Sequence, residues 1–458
     1  MIAQRFYTEL KARLDAGEWT PGQRLPSIRK LVDDTGGSYH QVVAAYARLV
    51  SEGVLAAHPG SGYFVAPRTQ ASASQAEPEC MAGDALFNFL QGGPHYTKLG
   101  CGWLPSSWTD TDLLTKAIRR TARLEQHSLV EYGDISGYLP LRKQLCAHIR
   151  RLTRLDTRPG QILTTLGATH ALDLIARLLI KPGDTVLVDE PCNGNLIRLL
   201  QLNGARVIGI RRTADGPDLA ELESQLARQP VRAFFCNSTF HNPTGGTITA
   251  NNAFNVLRLA VKHDVIIVED DVYGDFSPGA RHTFAELDNL ERVIYVGSFS
   301  KCLSASLRVG YIACPPALVE PLTRLKLLTC VAVPAFCERF VNTILADGTY
   351  AGHMKQLRQK LIEQQNKTQR VLKSRGWQFE IAPESGMFVW AEHPDITDQQ
   401  GFIQRLAQHD ILLLRFGVCC GAQLPGVPAH QLHALQHAGC PAFPGVRLAT
   451  QPALVHIP

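Results

Sequence analysis

The polar and apolar positions change their spacing partway along the chain. In residues 1–66 the spacing is helical at first and alternating at the end. Phe6, Leu10 and Leu14 share one helix face, which Gly17 ends. After "RLPS", a proline turn, Ser27 caps a short helix through "IRKLVDD" that stops at Gly36-Gly37. Ser38 caps a third helix, with Val42, Val43, Tyr46, Leu49 and Val50 at helical spacing and Gly53 as its close. "VLAAHPGSGYFVAP" reads as two short strands around a "PGSG" turn. Residues 67–84, which include "RTQASASQAEPE", are small, polar and unpatterned, and read as a linker. From 85 to 458 short apolar runs of β type ("DTVLVDE", "VRAFFCN", "DVIIVEDD", "RVIYVGS") are separated by helical stretches such as "NAFNVLRLAVKH". That alternation predicts parallel strands with crossover helices, an α/β sheet.

Three helices and a hairpin make the plan of a winged helix-turn-helix. The bulk numbers fit two or more globular domains: 458 residues, 45% hydrophobic and 19% charged. The net charge of +5 diagnoses nothing by itself. Residues 1–66 hold seven Lys/Arg against six Asp/Glu, so a nucleic-acid face there must come from local clustering. The twelve cysteines form no CxxC pair and no regular spacing, which points to reduced thiols in a cytoplasmic protein and to no metal site. No apolar run approaches the ~20 residues of a membrane helix. The start, "MIAQRFYTEL", lacks the apolar core of a signal peptide.

A helix that reads duplex DNA needs short polar side chains in its first turn, where the backbone amides also favour phosphate. Ser38, Tyr39, His40 and Gln41 occupy that turn, and Arg24 and Arg29 flank the preceding helix as candidate phosphate contacts. Gly60, at the wing tip, has no bulk to keep a DNA backbone away. "RLPSIRKL…GGSYHQVVAAYARLVSEGVL…GSGYFV" resembles the GntR-type winged helix over nearly all of residues 1–66. The resemblance implies a duplex DNA operator as partner. It also implies an arginine where this chain has Tyr39, and so a different operator or weaker binding.

"GSFSKCLSASLRVGY" carries a second chemistry. Lys301 follows a strand, with Ser298 and Ser300 as hydroxyls and Arg308 as a bidentate cation for a phosphate. "VIIVEDDVYGDF" ends a strand at Asp270 and Asp271. A carboxylate there would hold a pyridine nitrogen protonated, and Tyr273 would hydrogen-bond a phenolic oxygen. "HNPTGG" puts Asn242 at another strand end as a second partner for that oxygen. "TTLGATHALDLIARLL" puts Gly167, Ala168 and Thr169 at a helix start suited to phosphate. Tyr132 lies in a loop, "YGDISGYLPLR", before a helix.

"NPTG", "EDDVY" and "SFSK…R", in this order, resemble the fold-type I, class I/II aminotransferases over about residues 85–415. The resemblance implies pyridoxal 5′-phosphate as cofactor and Lys301 as the Schiff-base lysine. Asp270 becomes the ring-nitrogen partner, with Asn242 and Tyr273 on the phenolate oxygen. Ala168, Thr169, Ser298, Ser300 and Arg308 form the phosphate cup. Tyr132 matches a tyrosine that reaches the partner subunit's phosphate, which implies a homodimer. Arg447, in "GVRLA", matches the arginine for a substrate carboxylate. There are two departures. Asn193, in "DEPCNGN", stands where the family stacks an aromatic ring on the cofactor. The stretch from Ile411 on is rich in Cys, Pro and His and weakly periodic.

The two resemblances in one chain are the layout of the MocR subfamily of transcription regulators. That layout implies a DNA-binding regulator that senses a small amine, an amino acid or the cofactor itself. The same residues also suit an active class I/II aminotransferase with an accessory DNA-binding domain, or a winged-helix interaction module on a scaffold without chemistry.

Overall fold

A helix with one apolar face must bury it, and the first residues do so around the third of three helices. The computed structural model describes residues 2–15, 18–35, 38–52, 54–58, 61–66, 96–99, 102–124, 129–396, 398–412 and 448–450. The chain divides into two compact units, Met1–Glu77 and Pro78–Pro458. The first comprises α1 (Ile2–Asp15), α2 (Ile28–Thr35), α3 (Tyr39–Ser51), β1 (Leu55–His58) and β2 (Gly62–Val65). Val42, Tyr46 and Leu49 of α3 turn inward onto Leu10 of α1, Leu31 of α2, Leu25 and Leu55, all buried. The Tyr46 hydroxyl cannot be buried unpaired, and it donates to the Pro26 carbonyl at 2.8 Å. β1 and β2 pair antiparallel, with Leu55 opposite Val65.

One part of this wing has no signature in the spacing. Arg24 bridges Phe64 in antiparallel fashion. Leu25 N donates to Tyr63 O at 2.8 Å and Val65 N to Gln23 O at 2.9 Å. The extended segment lies between Pro21 and Pro26, residues that read as turn formers and confine a strand to an edge.

In the second unit, β3 (Thr97–Lys98) pairs in parallel with β13 (Ile411–Leu412), and β12 (Val389–Ala391) pairs antiparallel with β14 (Leu448–Thr450). The main sheet has eight strands: β4 (Ile162–Thr165), β5 (Thr185–Glu190), β6 (Arg206–Thr213), β7 (Gly216–Pro217), β8 (Ala233–Asn237), β9 (Ile266–Asp270), β10 (Val293–Ser298) and β11 (Gly310–Ala313). They lie in the order β4-β11-β10-β9-β8-β5-β6-β7. The four quoted apolar runs are β5, β8, β9 and β10, all parallel to their neighbours in this block. Because side chains alternate between faces, each run feeds two cores. Leu187, Phe234, Ile267 and Tyr295 pack on one face. Val186, Phe235, Val268 and Ile294 pack on the other.

The sheet is mixed, not wholly parallel as the alternation predicts. β11 runs antiparallel to both β10 and β4, and β7 antiparallel to β6. The physical reason lies in the connections. A parallel return needs a crossover of a dozen or more residues, usually a helix. Residues 299–309 between β10 and β11 contain only a short 3₁₀ turn at Ala305–Leu307. That stretch is where Lys301 sits, so the chain turns back directly instead of crossing over.

Candidate functional site

β4, β5, β8, β9 and β10 all point the same way, so their carboxyl ends form one edge of the sheet. Ligands of α/β folds bind at such an edge. Glu269 and Asp270 end β9 and Asp271 follows it, and alternation sets Asp270 apart from the other two. Glu269 is fully buried and accepts from the backbone N–H groups of Phe284 and Ala285, at 3.1 and 2.8 Å. Asp271 is an ion-pair partner of Arg281 inside the core and also accepts from the Tyr295 hydroxyl. Asp270 remains for the site. Its Oδ1 accepts from Val272 N at 3.2 Å. It keeps some surface open, but protein surrounds most of it. Burial pushes its carboxyl up to about 7 and Asp271 adds to the rise, while the Val272 N–H and the Lys301 charge oppose it.

The sequence-predicted partners of Asp270 converge. Asn242 Nδ2 donates to the Tyr273 hydroxyl at 3.3 Å. Tyr273 is held edge-on by the buried ring of Phe388, with centroids 5.3 Å apart. Lys301 reaches the same place, and the reporter is Gly102. A methyl group built there would lie 3.2 Å from the Tyr273 hydroxyl and 3.3 Å from Lys301 Nζ. Gly102 therefore keeps open the space that the lysine and the tyrosine face. The spacing of "GCGWLP" contains no signal for this, because the approach is between segments about two hundred residues apart.

The phosphate-type residues form a second cluster. The helix Gly167–Leu179 begins directly after β4, and its N-cap position, Leu166, has no side chain that accepts from the first amides. Those amides carry the positive end of the helix dipole. Arg308 lies over them. Its NH2 donates to the Leu166 carbonyl at 3.0 Å and its NH1 to Ser300 Oγ at 3.3 Å. Gly167 has φ +76°, and a Cβ there would fall 2.8 Å from the Arg308 guanidinium. Ala168 contributes only its amide, and Thr169 is exposed. Ser298 makes its hydrogen bonds within its own loop. Its hydroxyl donates to Val309 O at 3.3 Å and accepts from Ser300 N at 3.2 Å, which fixes the loop that carries Ser300.

Pyridoxal phosphate fits this donor set. An arginine and bare helix amides suit its phosphate, a carboxylate its ring nitrogen, and the Asn242–Tyr273 pair its phenolic oxygen. The donor Asn242 has for that oxygen is Nδ2, which lies on the Tyr273 hydroxyl, while its Oδ1 is buried with no partner among the described residues.

Tyr132, a predicted site residue, and Asn193, the departure at the ring position, have other surroundings. Tyr132 is 87% exposed on the loop before the helix Leu139–Thr153, so within one chain it faces solvent. Asn193, at the position of a stacking ring, is the N-cap of the helix Gly194–Leu202, and its side chain accepts from Asn195 N at 3.1 Å. Arg447 lies outside the described residues, as does Gly60 of the wing tip.

In the smaller unit Tyr39 is 54% exposed at the start of α3, with His40 exposed beside it. Ser38 and Arg29 are also exposed. Gln41 is only half-exposed, because its Oε1 accepts from Ser38 N at 3.1 Å and closes the first turn. Arg24 lies along the wing, where a Cβ on Gly62 would be 3.2 Å from its Nε. The first turn thus offers Tyr39 and His40 outward, while Gln41 serves the helix itself.

Residues 94–428 match the family of aminotransferases of class I and II, and residues 2–65 match the gntR family of bacterial regulatory proteins. The chain is similar to the uncharacterized HTH-type transcriptional regulator YdcR of Escherichia coli K12, at 27% identity over 86% of this chain and 87% of YdcR. It is similar to the probable rhizopine catabolism regulatory protein MocR of Rhizobium meliloti, at 26% identity over 79% of this chain and 75% of MocR. Among solved structures it resembles LysN, the α-aminoadipate aminotransferase of Thermus thermophilus complexed with N-(5′-phosphopyridoxyl)-L-leucine. The TM-score is 0.68 and the identity 25%, over 75% of this chain and 88% of that one.

Proposed function

The chain belongs to the aminotransferase class I and II family, with a gntR-type domain ahead of it in the layout of the MocR regulators, and on that premise we propose how its two units act together. The protein is a pyridoxal-phosphate-dependent transcription regulator. Residues 1–66 read duplex DNA, 67–84 link, and 85–458 bind cofactor and effector and dimerise in the cytoplasm. The observation that carries this reading is the approach of Lys301 and Tyr273 on Gly102, beside Asn242, in a chain whose other unit exposes Tyr39 and His40.

When bound, the cofactor supplies a carbonyl that a small amine or amino acid can take over from the Lys301 amino group. Asp270 holds the proton of the ring nitrogen, and Asn242 and Tyr273 hold the phenolic oxygen. Arg308 and Ser300, with the amides of Ala168 and Thr169, hold the phosphate, while Ser298 holds the loop that carries Ser300. Tyr132 of one subunit serves the phosphate of the other in a homodimer. Its exposure, next to exposed Leu129 and Val130, supports that role. Arg447 takes the effector's carboxylate. The effector changes DNA affinity only by its different affinity for the two states of the dimer.

The test is the visible absorption of the protein with pyridoxal phosphate, beside Lys301→Ala, followed by operator binding with and without candidate amines. A visible band that Lys301→Ala loses, and an amine that shifts DNA affinity, are the expected results. No band in the wild type overturns the cofactor site. The near-complete cofactor residues also favour a second reading, a working aminotransferase. Sustained transfer of amino groups to 2-oxo acids, with no effect of amines on DNA affinity, would establish it instead.

A further inference from the structure

Asn237 is the last residue of β8, and it lies opposite Asp270 in the parallel ladder, where both strands end. Beyond that pair the backbone has no further rung, and the Asn237 side chain supplies one in each direction. Its Nδ2 donates to the Asp270 carbonyl at 2.6 Å and, more weakly, to Thr239 O at 3.4 Å. Its Oδ1 accepts from Asn242 N at 2.8 Å. The partners dictate which way the amide points, since two are carbonyl oxygens and one is an N–H.

The residue is itself gripped from behind. Its N–H donates to Asp189 Oδ2 at 2.9 Å, and its carbonyl accepts from Arg212 NH1 at 3.0 Å. Asp189 and Arg212 form a buried ion pair, 3.1 Å apart, with side chains almost wholly out of solvent. Arg212 Nε and NH2 are buried with no hydrogen-bond partner, an arrangement that costs stability. A charge pair kept under those conditions, each member of which holds the backbone of one asparagine while His241 Nε2 lies 3.5 Å from Asp189 Oδ2, fits a framework that holds position.

We propose that Asn237 is a positioning residue for the cofactor site. One amide fixes the backbone of Asp270, at the ring-nitrogen end, and that of Asn242, at the phenolic-oxygen end, so that the two side chains keep their separation. Its action is through them; it is not itself placed against the cofactor. The inference rests on the cofactor site proposed above.

The test is a mutant cycle on pyridoxal phosphate affinity of the cofactor-free protein, read by titration of the visible band, with urea unfolding of the same proteins as control. Asn237→Ala is expected to weaken binding about tenfold, the scale of one lost hydrogen bond's worth of alignment. In an Asp270→Ala/Asn242→Ala background the same substitution is expected to change binding less than about twofold, because the groups it positions are gone. Equal losses in both backgrounds would mean a general structural role and overturn the proposal, as would an unaltered affinity in the single variant. If the alanine variant does not fold, Asn237→Ser carries the same cycle, its hydroxyl being too short for either partner. Failure of the wild type to bind pyridoxal phosphate would instead remove the cofactor site, and this inference with it.

Discussion

Two helices of the larger unit begin just past the same edge of the sheet, and their starts differ. The helix Gly194–Leu202 follows β5 and is capped by its own Asn193, whose side chain accepts from the Asn195 amide. The helix Gly167–Leu179 follows β4 with Leu166 at its cap, no accepting side chain, and Arg308 overhead. Every helix start has unpaired amides, and they are met by a side chain, by water or by a ligand. The first helix meets one of these amides with its own residue and needs no anion. In the second, His170 Nδ1 accepts from the Leu166 amide at 3.1 Å, and the cap side chain leaves the next amides to a partner beside a cation, a combination that suits an anion. A helix start alone would not distinguish them. The start of α3 is a third case, closed by Gln41 onto Ser38 while Tyr39 and His40 point outward.

The contrast breaks most visibly at Arg308. Arg308→Ala is expected to weaken pyridoxal phosphate binding by about 100-fold, the scale of a charge-assisted contact to phosphate, with little change in urea midpoint. Gly167→Ala is expected to act in the same direction, because its φ of +76° disfavours a side chain and a Cβ 2.8 Å from the Arg308 guanidinium would push that group aside. Affinity within threefold of wild type in both variants, by titration of the visible band, would show that this bare start holds no phosphate.

At α3 the expectation is about a 30-fold or greater loss of operator affinity in a Tyr39→Ala/His40→Ala variant at fixed salt, since base contacts are worth ~1–3 kcal/mol each. Arg24→Ala and Arg29→Ala should each lower the salt dependence of binding by about one ion, and equally on unrelated DNA. If the double variant lost affinity equally for operator and for random duplex, the first turn would be gripping backbone and not reading sequence.

These cases show what was legible in the chain and what was not. Lys301, Asp270 and Asn242 stand in local strings that end or follow strands, so their place at the edge is legible there, while Arg308, just before β11, is marked by the aminotransferase resemblance. The job of each neighbour does not. "EDD" offers three carboxylates, and only packing against Phe284, Arg281 and Tyr295 removes Glu269 and Asp271 from the site. Ser298 and Ser300 look equivalent in "SFSK", but the first is engaged by the Val309 carbonyl. Gly102 and Asn237 matter through approaches between distant segments, which no periodicity records. The antiparallel course of β11 follows from a connection that is too short, a feature hidden by the apolar run itself.

A smaller effect separates Asp270 from the carboxylates behind it. Burial raises both Asp270 and Glu269 to about 7, far above an unfolded chain's carboxylates. Between about pH 4 and 7 the folded, cofactor-free protein therefore keeps protons that the unfolded chain has released. The stabilisation is fully present below pH 4 and is lost as the pH rises through 7. Asp270→Asn should flatten that decline by about 1 kcal/mol or more between pH 4.5 and 7.5, in urea unfolding of the cofactor-free protein. A decline identical to wild type would place the titration on Glu269 alone.

The smallest effect tests the capped start. Asn193 stands where the aminotransferase resemblance implies a ring over the cofactor, and the structure gives it a different task, as a helix cap. Asn193→Ala should then cost about 1 kcal/mol of stability, the usual value of a lost N-cap, and leave pyridoxal phosphate affinity within about twofold. Asn193→Asp should restore the stability, because a carboxylate accepts from the same amide and favours the helix dipole. The two readouts separate the roles: a residue acting on the cofactor moves affinity, and a cap moves the urea midpoint. Affinity that fell with Asn193→Ala while the midpoint held would return this position to the cofactor. The two starts would then differ in which part of the ligand they hold, and no longer in whether they hold it.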